Sequence, residues 1–356
     1  MSHPHLTLVS TPPPAPSPDL LARLDALSRG GLRRRVALAP YTSFRIGGPA
    51  DYLAVLTRID DLIQALSLLQ EAQTPYMILG GGSNILVSDA GIRGIVLLNQ
   101  CKGVVWPEAS TVGPAEVTVE TGAPLAGFAR EAIKRGWAGL SWAVSIPGTL
   151  GGALVGNAGA HGQDLASVFI HARIWHQGRV EMWDAARMAF AYRRSRLKTL
   201  TASTSHPPVA LTVTLRLHPD VDGRAAEEAA RFIDHRRRTQ PTDKSAGSIF
   251  KNPPGDYAGR LIDAAGLKGR CVGAACISRK HANFIVNQGQ ATAAEVLALM
   301  SLAREEVQRQ FGILLEPEIL FVGDWSGHED TLSSWMPAAM ASSPQRAKAQ
   351  GSKMKD

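Results

Sequence analysis

The chain has 356 residues, of which 45% are hydrophobic and 19% charged, and a formal net charge of +7. The length predicts two or three domains, the composition excludes a disordered chain, and no apolar run approaches the ~18 residues of a membrane span. The positive charge lies in the carboxyl terminus and two arginine clusters, and aromatic residues make up only 6% of the chain, so no nucleic-acid partner is expected.

The first 20 residues are rich in proline and lack a basic segment followed by an apolar one. They predict a disordered leader over 1–20 rather than a secretory signal. The first clear helix begins near Asp60 or Asp61, either of which can cap its free amide groups. Leu62 and Leu66 recur at helical spacing and predict the side that faces the core.

The remaining body mixes apolar strands with amphipathic helices and shows no internal repeat. The predicted strands are 76–79, 85–87, 94–98, 116–120, 167–175 and 209–217. The predicted helices are 125–135, stopped by Gly136, then 224–238, ended by Pro241, and 292–311, with a Thr292–Glu295 capping box and Gly312 at its end. The pattern changes near 218–224 and predicts a smaller α+β unit on the carboxyl side.

The cysteines are few and odd in number: Cys101, Cys271 and Cys276. Such a set argues against a disulfide framework and favours a reducing compartment. Neither a second cysteine pair nor matching histidines accompany Cys271 and Cys276, so no metal site is expected.

A glycine run, GGGSN at 80–84, follows the predicted strand 76–79. Glycines let the backbone approach an anion closely, and successive amides together with Ser83 and Asn84 can bind a pyrophosphate. A strand rather than a helix follows, which disfavours the dinucleotide-binding βαβ fingerprint. Taken alone, such a run is more often a plain turn.

A second glycine-rich stretch, IPGTLGGA at 146–153, continues to NAGA at 157–160. This density of small residues permits the backbone to pack on a flat ligand, although a tight loop between sheets has the same composition. A third segment, YTSFRIGG at 41–48, precedes both stretches, and its Arg45 can counter phosphate charge. Together the three segments favour a bound nucleotide cofactor over unrelated turns.

These segments carry a family resemblance. TSFRIGGPA at 42–50, LGGGSNILVSD at 79–89 and IPGTLGGALVGNAGAHG at 146–162 resemble the FAD-binding motifs of the bacterial UDP-N-acetylenolpyruvoylglucosamine reductases. That family shares its flavin domain with the p-cresol methylhydroxylase and vanillyl-alcohol oxidase class. AYRRSRLK at 191–198 and SAGSIFKNP at 245–253 extend the resemblance, as does LEPEI at 315–319.

The resemblance implies an α+β fold with a two-subdomain FAD-binding region, FAD held non-covalently and NADPH as co-substrate. The implied domains are a leader at 1–20, flavin subdomains at 21–103 and 104–220, a substrate-binding domain at 221–325 and a disordered basic tail at 326–356. The implied cofactor-binding residues are Arg45, Gly80, Gly81, Gly82, Ser83, Asn84, Ile146, Pro147, Gly148, Gly151, Gly152, Asn157 and Gly159.

The resemblance also implies three catalytic residues. Ser248 matches the family's proton donor, Arg193 its arginine in YRxS, and Glu318 its glutamate in PEI. A hydride added to the terminal carbon of an enolpyruvyl ether builds charge toward the carboxylate, which an arginine stabilises before a serine delivers the proton. Serine is a weak acid, so Glu318 is expected to have a perturbed pKa. In isolation, Ser248 is more often a turn residue.

Further matches concern the substrate. Lys251 and Asn252 match family positions near the substrate, and Arg237 lies in a basic run, 236–238, placed to meet the diphosphate of a UDP-sugar. For His281 and Asn283, a structural role is at least as well supported as contact with the substrate. The chain departs from the usual pattern in three places, where Ser141, Ser145 and Cys276 replace a glutamate, a glycine and a glutamine.

The implied activity is the NADPH-dependent reduction of UDP-N-acetyl-3-O-(1-carboxyvinyl)-glucosamine to UDP-N-acetylmuramate in peptidoglycan precursor synthesis. Two alternatives stay open: another oxidoreductase of the wider flavin class, and a non-catalytic flavin- or nucleotide-sugar-binding protein. The expected partners are small molecules, without nucleic acid or membrane insertion, and the expected enzyme is a cytoplasmic monomer.

Overall fold

The computed structural model describes residues 15–108, 113–201 and 204–335. The chain folds into an α+β structure in which two main sheets are followed by a smaller carboxyl-terminal unit. Residues 1–14 of the predicted leader and 336–356 of the predicted tail lie outside the described residues.

The amino-terminal region alternates helices with strands. In chain order its elements are α1 (Pro18–Leu27), β1 (Arg33–Ala37), β2 (Pro49–Leu56), α2 (Ile59–Glu71), β3 (Tyr76–Leu79), β4 (Ile85–Val87) and β5 (Ile92–Asn99). The sheet order is β1-β2-β5-β3, with β5 parallel to both β2 and β3. Buried leucines of α1 and α2, among them Leu62 and Leu66, pack together on this sheet. The predicted core-facing side of α2 is therefore confirmed.

The predicted cap of α2 was wrong. Its N-cap is Arg58, which makes no capping hydrogen bond through its side chain. Asp60 and Asp61 lie two and three residues further on, in the first turn of the helix. There their carboxylates still interact favourably with the positive end of the helix dipole. Because this interaction extends over the whole first turn, acidic residues alone locate the beginning of a helix only to within a turn.

The middle region is built on an antiparallel sheet. Its elements are β6 (Val104–Val105), β7 (Ala115–Glu120), α3 (Leu125–Lys134), β8 (Trp137–Ala138), α4 (Leu150–Gly156), β9 (Gly159–Ala160), β10 (Gln163–Asp164), β11 (Phe169–His176), β12 (Arg179–Asp184), α5 (Ala185–Met188), α6 (Arg196–Thr201) and β13 (Val209–Pro219). The strand order is β12-β11-β13-β7-β6, with β8 beside the end of β13. Trp142 and Trp183 are fully buried in the core beneath this sheet.

The carboxyl-terminal region is smaller and is dominated by one long helix. Its elements are α7 (Arg224–Thr239), α8 (Ala258–Ala264), β14 (Cys271–Val272), β15 (Ala275–Ile277), β16 (Ile285–Asn287), α9 (Ala293–Phe311), β17 (Leu320–Val322) and α10 (Glu329–Ser333). The predicted capping box of α9 is confirmed, since Thr292 accepts from Glu295 N and Glu295 accepts from Thr292 N. Strand β17 pairs in parallel with β4, so this region is joined to the first one.

Helix α7 packs with the middle region rather than with the third predicted domain. Its Ala229, Phe232 and Ile233 join the core beneath the middle sheet, and the helix contacts the short turn Ser141–Ala143. The apolar side of α7 is buried against the region that precedes it. A boundary at 220/221 therefore cuts through one packed core, whereas a boundary near 240 does not.

The expectation of a disordered tail from 326 was wrong for the described part of that segment. Residues Glu329–Ser333 form α10, and Leu332 is fully buried. Trp335 packs against the same carboxyl-terminal core and lies edge-on to Phe321. Two apolar side chains at suitable spacing are enough to anchor a single helical turn, which polar composition alone does not reveal.

The expectation against disulfides was also wrong. Cys271 and Cys276 are bonded to each other, and Cys101 is free and buried. The two bonded cysteines face each other across the β14–β15 hairpin, with Cα atoms 4.1 Å apart. Two cysteines five residues apart can bond only if a tight hairpin brings their side chains together. The number of cysteines in a sequence does not predict whether such a hairpin forms.

Within the described ranges, no helix is both long enough and apolar enough to cross a lipid bilayer.

Candidate active site

A cavity of about 980 Å³ lies where the three regions meet. Of the predicted residues, those that line it are Gly80, Gly81, Gly82, Ser83, Asn84, Ile146, Pro147, Gly148, Gly151, Gly152, Gly159, Arg193, Ser248 and Glu318. The structure thus brings the two glycine-rich stretches and the three proposed catalytic residues to one space. Its volume is at the upper end of ordinary ligand sites, as a dinucleotide together with a second substrate requires.

The two glycine-rich stretches are in direct contact. A Cβ atom on Gly81 would lie 2.7 Å from the Cα of Gly148. Ser83 Oγ donates to the carbonyl of Pro147 at 3.2 Å, and Gly148 has a φ of +104°. Glycine is therefore required at Gly81 by close backbone approach, and at Gly148 by its backbone conformation.

The first glycine-rich stretch also rests on the segment 41–48. Gly82 has a φ of +56°, and a Cβ atom there would lie 2.3 Å from the carbonyl oxygen of Tyr41. The amide of Ser43 donates to the carbonyl of Gly82 at 3.1 Å. Within the described ranges, the amides of Gly81 and Ser83 donate to no other backbone group. They are thus available for a ligand, and this glycine cradle, with its free backbone amides, fits the pyrophosphate of FAD.

Two predicted cofactor residues lie outside the cavity lining. Arg45 has a φ of +58°, and its guanidinium donates to the carbonyl of Pro40 on the surface. Asn157 is 2% exposed and caps the end of α4 in the left-handed conformation. Its amide group binds Asp164 and the carbonyl of Ala191, at 2.9 and 3.2 Å. Asn157 therefore has its hydrogen bonds satisfied by protein.

A short antiparallel ladder places the catalytic candidates. The amide of Glu318 donates to the carbonyl of Ile249 at 2.8 Å, and the amide of Lys251 donates to the carbonyl of Glu316 at 2.9 Å. Asn84 Nδ2 donates to the carbonyl of Glu318 at 3.2 Å. The SAGSIFKNP and LEPEI segments therefore form one unit, and the first glycine-rich stretch is tied to it.

Arg193 and Glu318 form an ion pair, with Arg193 Nε and Glu318 Oε1 2.9 Å apart. Nε makes no hydrogen bond within the described chain, so the Nε–H bond of Arg193 is not directed at the Glu318 carboxylate. The contact is therefore mainly electrostatic, and the guanidinium retains donors for a ligand. Arg193 has a φ of +53°, an uncommon conformation for a side-chain-bearing residue that is often found at functional positions.

Burial raises the pKa of the Glu318 carboxyl, and nearby Arg193, Lys198 and Lys251 oppose that rise. The expected perturbation of this pKa is confirmed. A carboxyl under such opposed influences is suited to exchanging a proton. Ser248 is partly buried and lines the cavity. Gly247, with a φ of +79°, makes the turn that precedes it.

The predicted substrate residues lie less close to the cavity. The ammonium of Lys251 forms an ion pair with Glu316, Asn252 Oδ1 accepts from the amide of Ala258 at the beginning of α8, and Arg237 is exposed. None of the three is in the cavity lining. Arg237 is thus a prediction that the cavity lining does not support, and another member of its basic run lies closer to the cavity.

Arg236 is the arginine of this cluster that lines the cavity, together with His235 and Gln240. Burial lowers its pKa, while the neighbouring Arg238 forms an ion pair with Asp234. The helical phase of α7 decides which arginine faces inward, and a wheel drawn on Ala225 and Ala229 would have identified it.

Sequence reasoning missed two further features of the cavity. Lys198, the last residue of AYRRSRLK, lines it and is 4% exposed. His161 lines it as well and stacks on Phe232 with ring centroids 3.9 Å apart. The signal for Lys198 was its place within the AYRRSRLK motif, directly after Leu197, which is buried on the same helix. No signal in the sequence paired His161 with Phe232.

The departures from the usual pattern have different surroundings. Ser141 is 2% exposed and donates to the carbonyl of Ala225 in α7 at 3.2 Å. Ser145 lines the cavity, and Cys276 is in the disulfide. Only Ser145 is thus placed to meet a ligand of the large cavity.

Comparisons with known proteins agree with this geometry. Residues 50–176 match the FAD binding domain family, and 240–322 match the carboxyl-terminal domain of UDP-N-acetylenolpyruvoylglucosamine reductase. UDP-N-acetylenolpyruvoylglucosamine reductase 2 of Symbiobacterium thermophilum is 47% identical over 307 residues, which cover 85% of this chain and 96% of that protein. The chain belongs to the UDP-N-acetylenolpyruvoylglucosamine reductase family.

Other members of this family are similarly close. The reductase of Chloroflexus aggregans is 43% identical over 289 residues, covering 81% of this chain and 96% of that protein. The crystal structure of UDP-N-acetylenolpyruvylglucosamine reductase from Thermus caldophilus superposes with a TM-score of 0.68 at 34% identity, covering 82% of this chain and 99% of that chain. The predicted family, the α+β fold and its flavin-binding region are confirmed.

Proposed function

We propose that this chain reduces UDP-N-acetyl-3-O-(1-carboxyvinyl)-glucosamine to UDP-N-acetylmuramate, with FAD as cofactor and NADPH as the source of electrons. The observation that carries the proposal is the placement of Arg193, Glu318 and Ser248 in the same cavity as the glycine cradle. One cavity can thus hold the cofactor against the group that is to be reduced. Family membership points to the same reaction.

Bound FAD supplies a hydride to the terminal carbon of the enolpyruvyl group, and the remaining steps belong to side chains. Arg193 offers guanidinium donors to the substrate carboxylate, where negative charge builds as the hydride adds. Ser248 then donates its hydroxyl proton to the neighbouring carbon, which completes the lactyl ether. One hydride and one proton are added, and no bond of the sugar breaks.

Glu318 returns a proton to Ser248. Burial raises the pKa of its carboxyl, so that it holds a proton more readily than an exposed carboxyl does. The ion pair with Arg193 keeps its side chain at the reacting end of the cavity. A positioned carboxyl compensates for the weak acidity of the serine hydroxyl.

The glycine cradle holds FAD through backbone donors and shape, without a covalent bond. The His161 ring stacks face to face on Phe232, and we assign it this packing role rather than that of a nucleophile that bonds the flavin. Arg236, also at the cavity, is placed to meet the phosphates of NADPH or of the UDP-sugar. The enzyme works as a cytoplasmic monomer in peptidoglycan precursor synthesis.

The test follows the visible absorbance of the flavin in the purified protein under anaerobic conditions. Addition of NADPH should bleach the flavin bands, and addition of the enolpyruvyl sugar should restore them. Bands that bleach but do not return would refute the substrate while leaving the flavin. A colourless protein that fails to bind added FAD would refute the proposal as a whole.

A further inference from the structure

Five ionisable groups form a cluster beside the reacting end of the cavity, and three of them, Arg193, Lys198 and Glu318, line it. Two ion pairs, Arg193–Glu318 and Lys251–Glu316, account for four of them. The fifth is Lys198, whose ammonium, within the described part of the chain, has no carboxylate at ion-pair distance and donates instead to the carbonyl of Arg193 at 3.2 Å. Lys198 is therefore the cation of this cluster that has no carboxylate partner within the described residues.

Lys198 is held in this place by its helix. It belongs to α6, where its amide donates to Ser195 Oγ at 3.4 Å, and Ser195 Oγ donates to the carbonyl of Val155 in α4 at 2.7 Å. The residue is 4% exposed. A lysine buried to this degree is rare unless it is paired, because the charge loses its hydration. An anionic ligand in the cavity would supply the missing partner.

The carbonyl that Lys198 binds belongs to a strained turn. Ala191 and Arg194 exchange two backbone hydrogen bonds of 3.0 Å, so Tyr192 and Arg193 form the tip of a tight turn. Arg193 is in the left-handed conformation, with a φ of +53°. The ammonium of Lys198 therefore stabilises the turn that aims the Arg193 guanidinium at Glu318.

We propose that Lys198 is a positioning residue for reduction of the enolpyruvyl group. Its ammonium fixes the Arg193 turn and supplies the positive charge that draws the substrate carboxylate to the Arg193 end of the cavity. The inference rests on the proposed function, because it needs a carboxylate-bearing substrate.

A dependence on pH follows from the surroundings of Lys198. Burial lowers the pKa of Lys198 to about 8, and the positive charges of Lys251 and Arg193 act in the same direction. Glu318 and Glu316 oppose this shift. The ammonium is thus charged below pH 8 and neutral above it. Reoxidation of the reduced enzyme by the sugar should slow as the pH rises through this range.

The experiment measures the single-turnover rate at which the enolpyruvyl sugar reoxidises the NADPH-reduced holoenzyme, from neutral to alkaline pH. The variants are Lys198→Met, Lys198→Arg and the control Arg196→Met. Arg196 is an exposed cation on the same helix and outside the cavity lining. Wild type and the control should lose rate above pH 8, whereas Lys198→Arg should keep its rate to higher pH because an arginine stays charged.

Lys198→Met should be slowed about 100-fold at neutral pH, and its rate should not change as the pH passes 8. Its reduction by NADPH, which brings no carboxylate to the reacting end, should change by less than about threefold. A Lys198→Met variant that keeps the alkaline loss of rate would overturn the inference, as would a Lys198→Arg variant that loses rate at the wild-type pH.

If the variants do not fold or do not bind FAD, the pH dependence of reoxidation in the wild-type enzyme still tests the role of Lys198. A wild-type reoxidation rate that is flat through pH 8 overturns the role of Lys198. Failure of the sugar to reoxidise wild type at any pH is a different result, since it refutes the proposed function itself.

Discussion

The buried charge of Lys198 has a measurable cost in stability. Its pKa of about 8 in the folded protein lies about 2.5 units below the value of 10.5 for an exposed lysine. The folded state therefore binds fewer protons than the unfolded state between these two values. The free energy of unfolding should rise with pH across that window, and the penalty of about 3 kcal/mol should be present in full below pH 8.

Replacing Lys198 by methionine removes this penalty but also removes the hydrogen bond to the carbonyl of Arg193, at a cost of about 1–2 kcal/mol. At pH 7 the variant should be more stable than wild type by about 1–2 kcal/mol. Well above pH 10.5, where the lysine is neutral in both states, the variant should be less stable by a similar amount.

Equilibrium urea unfolding of wild type, Lys198→Met and Arg196→Met, at a fixed saturating concentration of FAD, measures this difference. Other groups that titrate in the same range affect all three proteins and cancel in the comparison. The sign of the stability difference between Lys198→Met and wild type should reverse between neutral and alkaline pH. A difference that stays constant with pH would refute the reasoning, because it would mean that the lysine is not held in an unfavourable charged state.

Three further substitutions test other parts of the site and fold. Ser248→Ala should leave reduction by NADPH intact and slow reoxidation by the sugar about 10²- to 10⁴-fold, measured in stopped flow; an unchanged rate would remove Ser248 from the mechanism. Gly81→Ala should weaken FAD binding at least about tenfold in equilibrium titration, because its Cβ would lie 2.7 Å from the Cα of Gly148; unaltered affinity would mean that the cradle is not the cofactor site. Thr292→Ala should lower the free energy of unfolding by about 1 kcal/mol without changing either half-reaction, and loss of activity would contradict a purely structural capping box.

The sequence predicted those features whose structure depends only on residues that are close together in the chain. The capping box of Thr292 and Glu295 needs only its own helix, and the structure contains it. The glycine-rich stretches could be assigned to one ligand site because several of their glycines allow close approach of the backbone. The contact between Gly81 and Gly148 is that approach.

What the sequence did not reveal depends on contacts between distant segments. The inward direction of Arg236 depends on how α7 packs against the middle region. The pairing of Cys271 with Cys276 depends on a hairpin whose strands are only two and three residues long. In each case the residue type was visible in the sequence, whereas its partner was fixed by a fold that periodicity does not specify.

Asn157 shows why a motif residue need not touch the ligand that its motif binds. It follows α4 in the second glycine-rich stretch, and its amide group holds the carbonyl of Ala191 at 3.2 Å. Ser195 makes a second link, to Val155 of α4 at 2.7 Å. The turn that carries Arg193 lies between these two links. The second glycine-rich stretch and the Arg193 turn are therefore joined into one unit. In the proposed reaction, these hydrogen bonds set the geometry between the hydride donor and the substrate carboxylate.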